Sequence, residues 1–257
     1  MAVSVLRRQT VAAGCAVCLL LTVASALAAP ASLEAAPGAV LDAVFASCAA
    51  VTNASCTVRR EVTVDGRSAT IVSRVDWARG DRLCVQTLSP EPKRTLIDGT
   101  NVWMKGKSDR TPRRWDVKDQ APSQVASLRS VPASAEEALA PLRDFPDVVD
   151  VDGAMSPDPR LLRFSGAASG AMAELRIDGN GRPVELALWP GAPEGIPAEL
   201  VRFESPEEIV PGGWVFRRQI RETRVAGKTI RTISRFDDLR VNTDLPDSLF
   251  SASTVFP

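Results

Sequence analysis

The feature that most constrains the fold is an alternation of apolar and polar residues, interrupted by short turn sequences. In CTVRREVTV the residues Cys56, Val58, Val62 and Val64 share one side, while charged and hydroxyl-bearing residues share the other. A period of two residues is typical of a strand with one buried face. Asp65-Gly66 then provides a two-residue hairpin turn, so the next alternating segment is expected to pair antiparallel with the first.

The same pattern recurs in two batches on either side of a segment rich in Ala, Ser and Pro. Asp98-Gly99 joins two strands of the first batch, and Asp178–Gly181 and Ala226-Gly227 join strands of the second. The spacing excludes parallel βαβ units and long repeats. We predict a β-rich α+β fold with roughly ten or eleven antiparallel strands.

Two or three helices are expected beside these strands. Apolar residues at i, i+3, i+4 and i+7 predict one helix after Pro37, before the first strand. Ser134 and Glu137 have the spacing of a capping box ahead of a helix at about Ser134 to Arg143, and a weaker one is predicted near Ser123 to Arg129. A sheet of this size must close, split or be covered. We therefore predict one curved sheet whose apolar concave face is lidded by the helices.

Residues 1–29 have the pattern of a secretory signal peptide, with Arg7 and Arg8 before an apolar stretch and a cleavage pattern near Ala28 or Ala29. We predict an exported, periplasmic protein in which residues 30–257 form a single domain. The mature chain has 29 basic and 31 acidic side chains, a net charge of −2. This charge does not favour nucleic-acid binding, and we expect a monomer.

The absence of His limits the available chemistry, because it removes Ser-His-Asp triads, Cys-His pairs and His-based metal sites. Glu61 together with Asp76 or Asp81 could supply the two carboxyl groups of a glycoside hydrolase, but their spacing does not distinguish them from other acidic residues of the sheet. The acidic stretch Asp144–Gly153 lacks the positions of a calcium loop. We predict no catalytic residues, no metal site and no cofactor.

Three cysteines lie beyond the signal peptide: Cys48, Cys56 and Cys84. In an oxidising compartment Cys48 and Cys56 could close a short disulfide loop, with Cys84 left as a small buried residue. Three separate hydrophobic thiols are the equally supported alternative.

Several local patterns together resemble the periplasmic lipoprotein-carrier family of LolA/LolB type. Asp98, Gly99 and Trp103 match its DG-x-x-x-W hairpin, and Asn242, Leu245, Pro246 and Phe250 match its terminal N-x-x-(I/L)-P-x-x-x-F. The chain departs from the family where ARGD, starting at Ala78, stands in place of a usual Arg-Pro, which leaves the identity of the cargo open. We expect Leu245, Pro246 and Phe250 to form a hook that holds the end of the last strand against the sheet.

The resemblance implies an unclosed half-barrel that holds acyl chains on its concave face and carries them as a chaperone between membranes. It also implies two partners, an inner-membrane release complex and an outer-membrane acceptor. An alternative is an envelope sensor or adaptor that detects lipid or lipoprotein and signals to a protein partner, also without catalysis.

The candidate cavity residues are the apolar side chains predicted to point inward from the strands. Taken singly, each is more often ordinary core than a ligand contact. They are Val62, Val64, Ile71, Val75, Trp77, Leu83, Val85, Leu175, Ile177, Leu186, Leu188, Trp214, Phe216 and Ile220.

Two arginines, Arg60 and Arg218, are predicted to point inward from otherwise apolar strand faces. A buried arginine requires partners, so one hypothesis is that either of them bonds to the lid and holds it shut. The alternative is an arginine that extends past the sheet edge into water.

Overall fold

The computed structural model describes residues 37–119, 132–151, 159–166, 170–191, 195–210 and 213–257. The predicted signal peptide and the weaker helix near residues 123–129 lie outside the described residues. Within the described part, no helix is both long enough and apolar enough to cross a membrane.

One antiparallel sheet of thirteen strands forms the body of the structure, in the order β6-β5-β4-β3-β2-β1-β13-β12-β11-β10-β9-β8-β7. β6 and β7 are its two edges, so the sheet is not closed. The strands are β1 Asn53–Val64, β2 Arg67–Ala78, β3 Arg82–Ser89, β4 Lys93–Asp98, β5 Asn101–Gly106, β6 Arg113–Asp116, β7 Asp147–Asp150, β8 Arg160–Ser165, β9 Met172–Ile177, β10 Pro183–Trp189, β11 Glu199–Val210, β12 Gly213–Val225 and β13 Lys228–Val241.

The count of thirteen corrects the predicted ten or eleven strands. The additional strands include the two edges, β6 and β7, which are four residues long and rich in charge. Short, charged edge strands are a common device against edge-to-edge aggregation, and they carry too little alternation to be recognised in the sequence. β7 falls within the acidic stretch Asp144–Gly153, for which no strand was predicted.

The helices among the described residues are short. α1 spans Pro37–Ala49, α2 is a single turn at Glu136–Leu139 that continues as a 3-10 helix at Ala140–Asp144, and α3 spans Ala252–Val255. Further 3-10 turns occupy Val117–Asp119 and Asp247–Phe250. The predicted helices after Pro37 and at about 134–143 are confirmed. The Ser134 hydroxyl accepts a hydrogen bond from the Glu136 amide at 3.2 Å, one residue earlier than in the predicted capping box.

Two hairpin turns fix the register of four long neighbouring strands. Asp65 and Gly66 have φ of 49° and 76°, and Ala226 and Gly227 have φ of 50° and 76°. Positive φ at both central residues is the geometry that matches the twist of antiparallel strands. β1 therefore pairs with β2, and β12 with β13, with Val64 opposite Arg67 and with Val225 opposite Lys228.

We call the inner face the side of the sheet that carries Cys56, Val58 and Val62, and the outer face the opposite side. Over β8 to β11 the inner face is packed by α1 and by residues 135–142. The members of this cluster include Val40, Val44, Leu139, Leu142, Leu162, Phe164, Leu175, Ile177, Leu186, Val201 and Phe203.

The chain end packs on the outer face of β3 to β5, as predicted for the terminal hook. Phe250 and Val255 are buried against Ala78 and Leu96, with Leu245 at the border of the cluster. The Arg82 guanidinium lies over the Phe250 ring at 5.1 Å.

Candidate functional site

A partly open cavity of about 560 Å³ lies between the inner face and the segment of residues 132–144, which we call the cover segment. The strands around it are β1, β2, β3, β12 and β13, at the middle of the sheet. Its apolar wall consists of Val58, Val62, Ile71, Val75, Leu83, Val85 and Phe236. Pro132, Ala133, Ser134 and Glu137 of the cover segment line it on the other side.

Polar side chains also line this cavity, mainly on the β12 and β13 side. They are Arg60, Ser73, Gln219, Arg221, Thr232 and Ser234. In the register of the sheet, Gln219 lies opposite Ser234 and Ser234 lies opposite Arg60, so these three side chains form one row across the cavity floor. The site is therefore amphipathic, with an apolar wall over β1 to β3 and a polar strip beside it.

Three polar contacts attach the cover segment to β12. The Phe216 amide donates to the Ala133 carbonyl at 2.7 Å, and Gln219 Nε2 donates to the Ser134 carbonyl at 2.9 Å. Arg221 Nη1 lies 3.3 Å from Glu137 Oε1, and its Nε lies 3.3 Å from Glu199 Oε1. The cover segment is thus joined to the sheet by polar groups along the cavity edge, and by Leu139 and Leu142, which are buried in the core, farther along the chain.

Five of the fourteen predicted cavity residues line the cavity: Val62, Ile71, Val75, Leu83 and Val85. They come from the three strands whose alternation was regular. Val64, at the end of β1, is half-buried and lies outside the lining.

The other predicted residues belong to packed regions, because the apolar patch they form is filled by protein side chains. Leu175, Ile177, Leu186 and Phe216 are buried beneath α1 and the cover segment, with Leu188 packed at the border. Trp77 is buried in a second cluster with Val51, Ile97 and Val102. These positions are corrected from cavity to core.

On β12 the prediction chose the wrong set of residues. Gln219 and Arg221 face the cavity, so Ile220 lies on the outer face, where it pairs in register with Ile233. Trp214 lies outside the cavity lining, with the Arg182 guanidinium 4.7 Å from its ring. The apolar residues of β12 were taken as inward, although the inner face of this strand is polar beside the cavity.

The two predicted latch arginines occupy different sides of the sheet. Arg60 lines the cavity, but its side chain forms no hydrogen bond or ion pair with any described residue. Arg218 lies on the outer face in an ion pair with Glu204, which does not belong to the cover segment. The cation that contacts the cover segment is Arg221. Nothing in the sequence distinguished Arg221 for this role.

The three cysteines of the described chain, Cys48, Cys56 and Cys84, are free thiols, so the possible Cys48–Cys56 disulfide is not formed. Burial raises the pKa of Cys48 to about 11 and that of Cys56 to about 12. Within the described residues, no three His, Cys, Asp or Glu side chains come together in an arrangement that could hold a metal ion.

Arg79 fills the position at which the chain departs from the lipoprotein-carrier pattern. Its Nε donates to the Val51 carbonyl at 2.8 Å and its Nη2 to the Cys48 carbonyl at 3.0 Å. The last carbonyls of a helix lack partners within the helix, and a cation is favourable there. Arg79 therefore ties the end of α1 to the end of β2.

No family model and no curated protein matches the sequence. Solved structures do match the fold. A LolA superfamily protein from Nitrosomonas europaea superposes with a TM-score of 0.54 at 17% identity, over 84% of this chain and 97% of the other. A DUF1329 family protein from Desulfovibrio piger gives 0.53 at 14% identity, with the same coverage.

A domain from Vibrio parahaemolyticus, assigned to an outer membrane lipoprotein-sorting protein, gives a TM-score of 0.52 at 14% identity, again over 84% and 97% of the two chains. At these identities the comparison establishes the fold alone. The chain has the fold of the LolA superfamily, which confirms the resemblance drawn from its hairpin and terminal motifs.

Proposed function

We propose that this protein is a periplasmic carrier that binds acyl chains of lipoproteins or lipids in the cavity and moves them between membranes. The observation that carries the proposal is the apolar wall of Val58, Val62, Val75, Val85 and Phe236, which the described residues leave unfilled beneath the cover segment. A volume of about 560 Å³ lies within the usual range of ligand sites, roughly 300–1,000 Å³.

The physical need for such a wall follows from the cost of apolar hydration. A sixteen-carbon chain gains roughly 12 kcal/mol on leaving water, at about 0.8 kcal/mol per methylene. Free diffusion of an acylated molecule through an aqueous compartment is therefore prohibitive. A carrier must offer a dry surface of comparable value and then give the chain up.

Release is the role that we assign to the cover segment. Its contacts with β12 are two hydrogen bonds and the ion pair between Arg221 and Glu137, which is about two-fifths exposed. Such exposed pairs contribute at most about 1 kcal/mol. We assign the movement to the cavity side of the cover segment, residues 132–137, which can shift when a membrane partner supplies a modest competing interaction while Leu139 and Leu142 stay in the core.

The arrangement supports binding rather than catalysis. Among the described residues that line the cavity, Glu137 is the one carboxylate, and it is engaged with Arg221. Glycoside hydrolysis by carboxyl groups requires two of them, one on either side of the scissile bond. We therefore propose a carrier without catalytic residues, whose partners are an inner-membrane release complex and an outer-membrane acceptor.

The test is transfer of a fluorescent acyl probe between donor and acceptor vesicles separated by a dialysis membrane, with the folded protein as the only vehicle. Val62→Trp should fill the cavity and weaken probe binding by about tenfold or more. The matched control is Val149→Trp, at an exposed position on the edge strand β7, which should bind and transfer like the wild type.

Three outcomes are informative. Transfer that Val62→Trp abolishes supports the carrier. Binding without transfer supports the alternative, a sensor or adaptor. Absence of probe binding by the natively folded protein contradicts both.

A further inference from the structure

Arg60 lines the cavity, and its guanidinium has no acidic partner among the described residues. Its neighbour among the lining cations, Arg221, is balanced by Glu137 and Glu199. Arg60 is exposed and lines the cavity, and its side chain has no ion pair or hydrogen bond with any described residue. A cation beside an apolar wall, without an acidic partner from the described protein, is a site for an anion supplied by a ligand.

Ser234 provides a second, independent observation at the same place. It is only 8% exposed and faces the cavity, yet its hydroxyl forms no hydrogen bond with any described residue. A hydroxyl that faces the cavity can donate a hydrogen bond to a bound group. Ser234 lies directly opposite Arg60 in the β1–β13 register, where facing side chains are about 5 Å apart at Cβ. One anionic group can therefore contact both.

The oxygen atoms of a carboxylate or phosphate suit this pair. A guanidinium donates two parallel hydrogen bonds to such a group, in a geometry that a neutral head cannot fully use. The Ser234 hydroxyl would donate a further one. Because Arg60 is exposed whereas Val58 and Phe236 are buried, the head would lie towards the solvent and the tail towards the buried wall.

The volume limits how many tails can enter. A methylene group occupies about as much space as a water molecule in the liquid, about 30 Å³, so a cavity of about 560 Å³ holds on the order of twenty such groups. That is one long acyl chain. Two or three chains of the same length would exceed it.

We propose that the occupant of the cavity is a single-chain amphiphile with an anionic oxygen head, bound through Arg60 and Ser234. This inference rests on the proposed function, since it specifies the acyl ligand of the same cavity. The tail lies along Val62, Val75 and Val85, and the head is either the carboxylate of a fatty acid or the phosphate of a single-chain phospholipid.

The test compares three ligands of equal chain length on the full protein: palmitate, 1-palmitoyl lysophosphatidate and neutral 1-monopalmitoylglycerol. Affinities are measured by displacement of a fluorescent acyl probe. At least one anionic ligand should bind about tenfold more tightly than the neutral one, and whichever anion binds best identifies the head. Native mass spectrometry should give one ligand per protein molecule.

Variants then locate the head. Arg60→Gln should lower the affinity for the preferred anionic ligand by about tenfold, the range expected for a hydrogen bond to a charged group. The affinity for monopalmitoylglycerol should change by less than about twofold. Arg59→Gln is the matched control, because it removes an adjacent exposed arginine from the outer face. Ser234→Ala should produce a smaller loss for the anion only.

The ligand comparison on the wild type needs no variant and decides the case even where a variant fails to fold. Equal affinity for anionic and neutral ligands overturns the inference and leaves the proposed function standing. Two or more chains per molecule overturn the single-chain assignment. Failure of all three ligands to bind contradicts the proposed function itself.

Discussion

Arg221 on β12 contacts Glu137 on α2, with 3.3 Å between its Nη1 and the Glu137 Oε1. The contact joins two parts of the chain that are 84 residues apart in sequence. It connects the cavity floor to the segment that covers it. A hydrogen bond from Gln219 to the Ser134 carbonyl reinforces the link two residues away.

Breaking this link should accelerate ligand exchange. Arg221→Met keeps most of the apolar stem and removes the charge, so we expect an increase in the dissociation rate of up to about fivefold, because a half-exposed pair contributes at most about 1 kcal/mol. Stopped-flow displacement of a fluorescent acyl probe measures it. Arg218→Met is the matched control, since it breaks a similar pair with Glu204 on the outer face. Equal rates in the two variants would contradict a latch at Arg221.

Removal of the Phe250 ring should lower the stability of the fold. Phe250 is 5% exposed and packs against Leu96, which is fully buried. We expect Phe250→Ala to lower the free energy of unfolding by about 3 kcal/mol, within the usual range for a buried phenylalanine. Urea denaturation followed by tryptophan fluorescence measures the change. Phe256→Ala, at a half-buried position of the same cluster, should cost clearly less; an equal or smaller cost for Phe250 would show that the hook is peripheral.

Asp98 should make stability depend on acidic pH. Burial alone would raise its pKa, but hydrogen bonds from Trp103 Nε1 and from the Asn101 and Thr100 amides outweigh it and lower the pKa from 3.8 to about 2. A carboxyl whose pKa is depressed by folding stabilises the protein above its unfolded pKa. This contribution is therefore present above pH 3.8 and is lost as the pH falls through about 2.

Trp103→Phe removes one donor and should raise the pKa of Asp98, as measured by NMR titration of its carboxyl carbon. Trp115→Phe is the control, on the neighbouring edge strand β6, and should leave the titration unchanged. A pKa for Asp98 near 3.8 in the wild type would contradict the hydrogen-bonding pattern.

The three thiols should be inert in the folded state. Burial raises the pKa of Cys48, Cys56 and Cys84, and the thiolate is the reactive form. We expect no iodoacetamide modification of these residues at pH 8 without denaturant, and complete modification in urea, as mapped by mass spectrometry of peptides. Protection of Cys48 and Cys56 together in urea without reductant would instead reveal the disulfide.

The same thiols should make the free energy of unfolding decrease at alkaline pH. Because folding raises their pKa above the unfolded value of 9.0, their contribution is fully present below pH 9. It is lost as the pH rises towards 11 and 12, where the unfolded chain has already released the protons. Replacing Cys56 by Ala should flatten this decline in urea denaturation series.

The strands that the sequence predicted well are those in which alternation and turn residues agree. β1 and β2 are an example: one side of CTVRREVTV is apolar apart from Arg60, and Asp65-Gly66 supplies the positive φ values that the turn needs. The edge strand β7 has neither signal. Only four residues pair there, and tertiary hydrogen bonds to β8 determine its conformation.

The cavity was predictable only in part, because alternation identifies a face and does not say what covers it. Leu175 and Val85 both occupy the inner face, but α1 and the cover segment fill the space above Leu175 and leave space above Val85. On β12 the inner residues Gln219 and Arg221 are polar because they bond to the cover segment. Such contacts between segments distant in sequence leave no local pattern.

The inner face is solid beneath α1 and hollow beside it. Leu139 and Leu162 are fully buried in the core cluster, whereas Val62 and Ile71 are half-buried and line the cavity. The packed core and the cavity thus lie on different strands of one sheet. Substitutions around the cavity can therefore change which ligand it accepts, while the packed core under α1 still stabilises the fold.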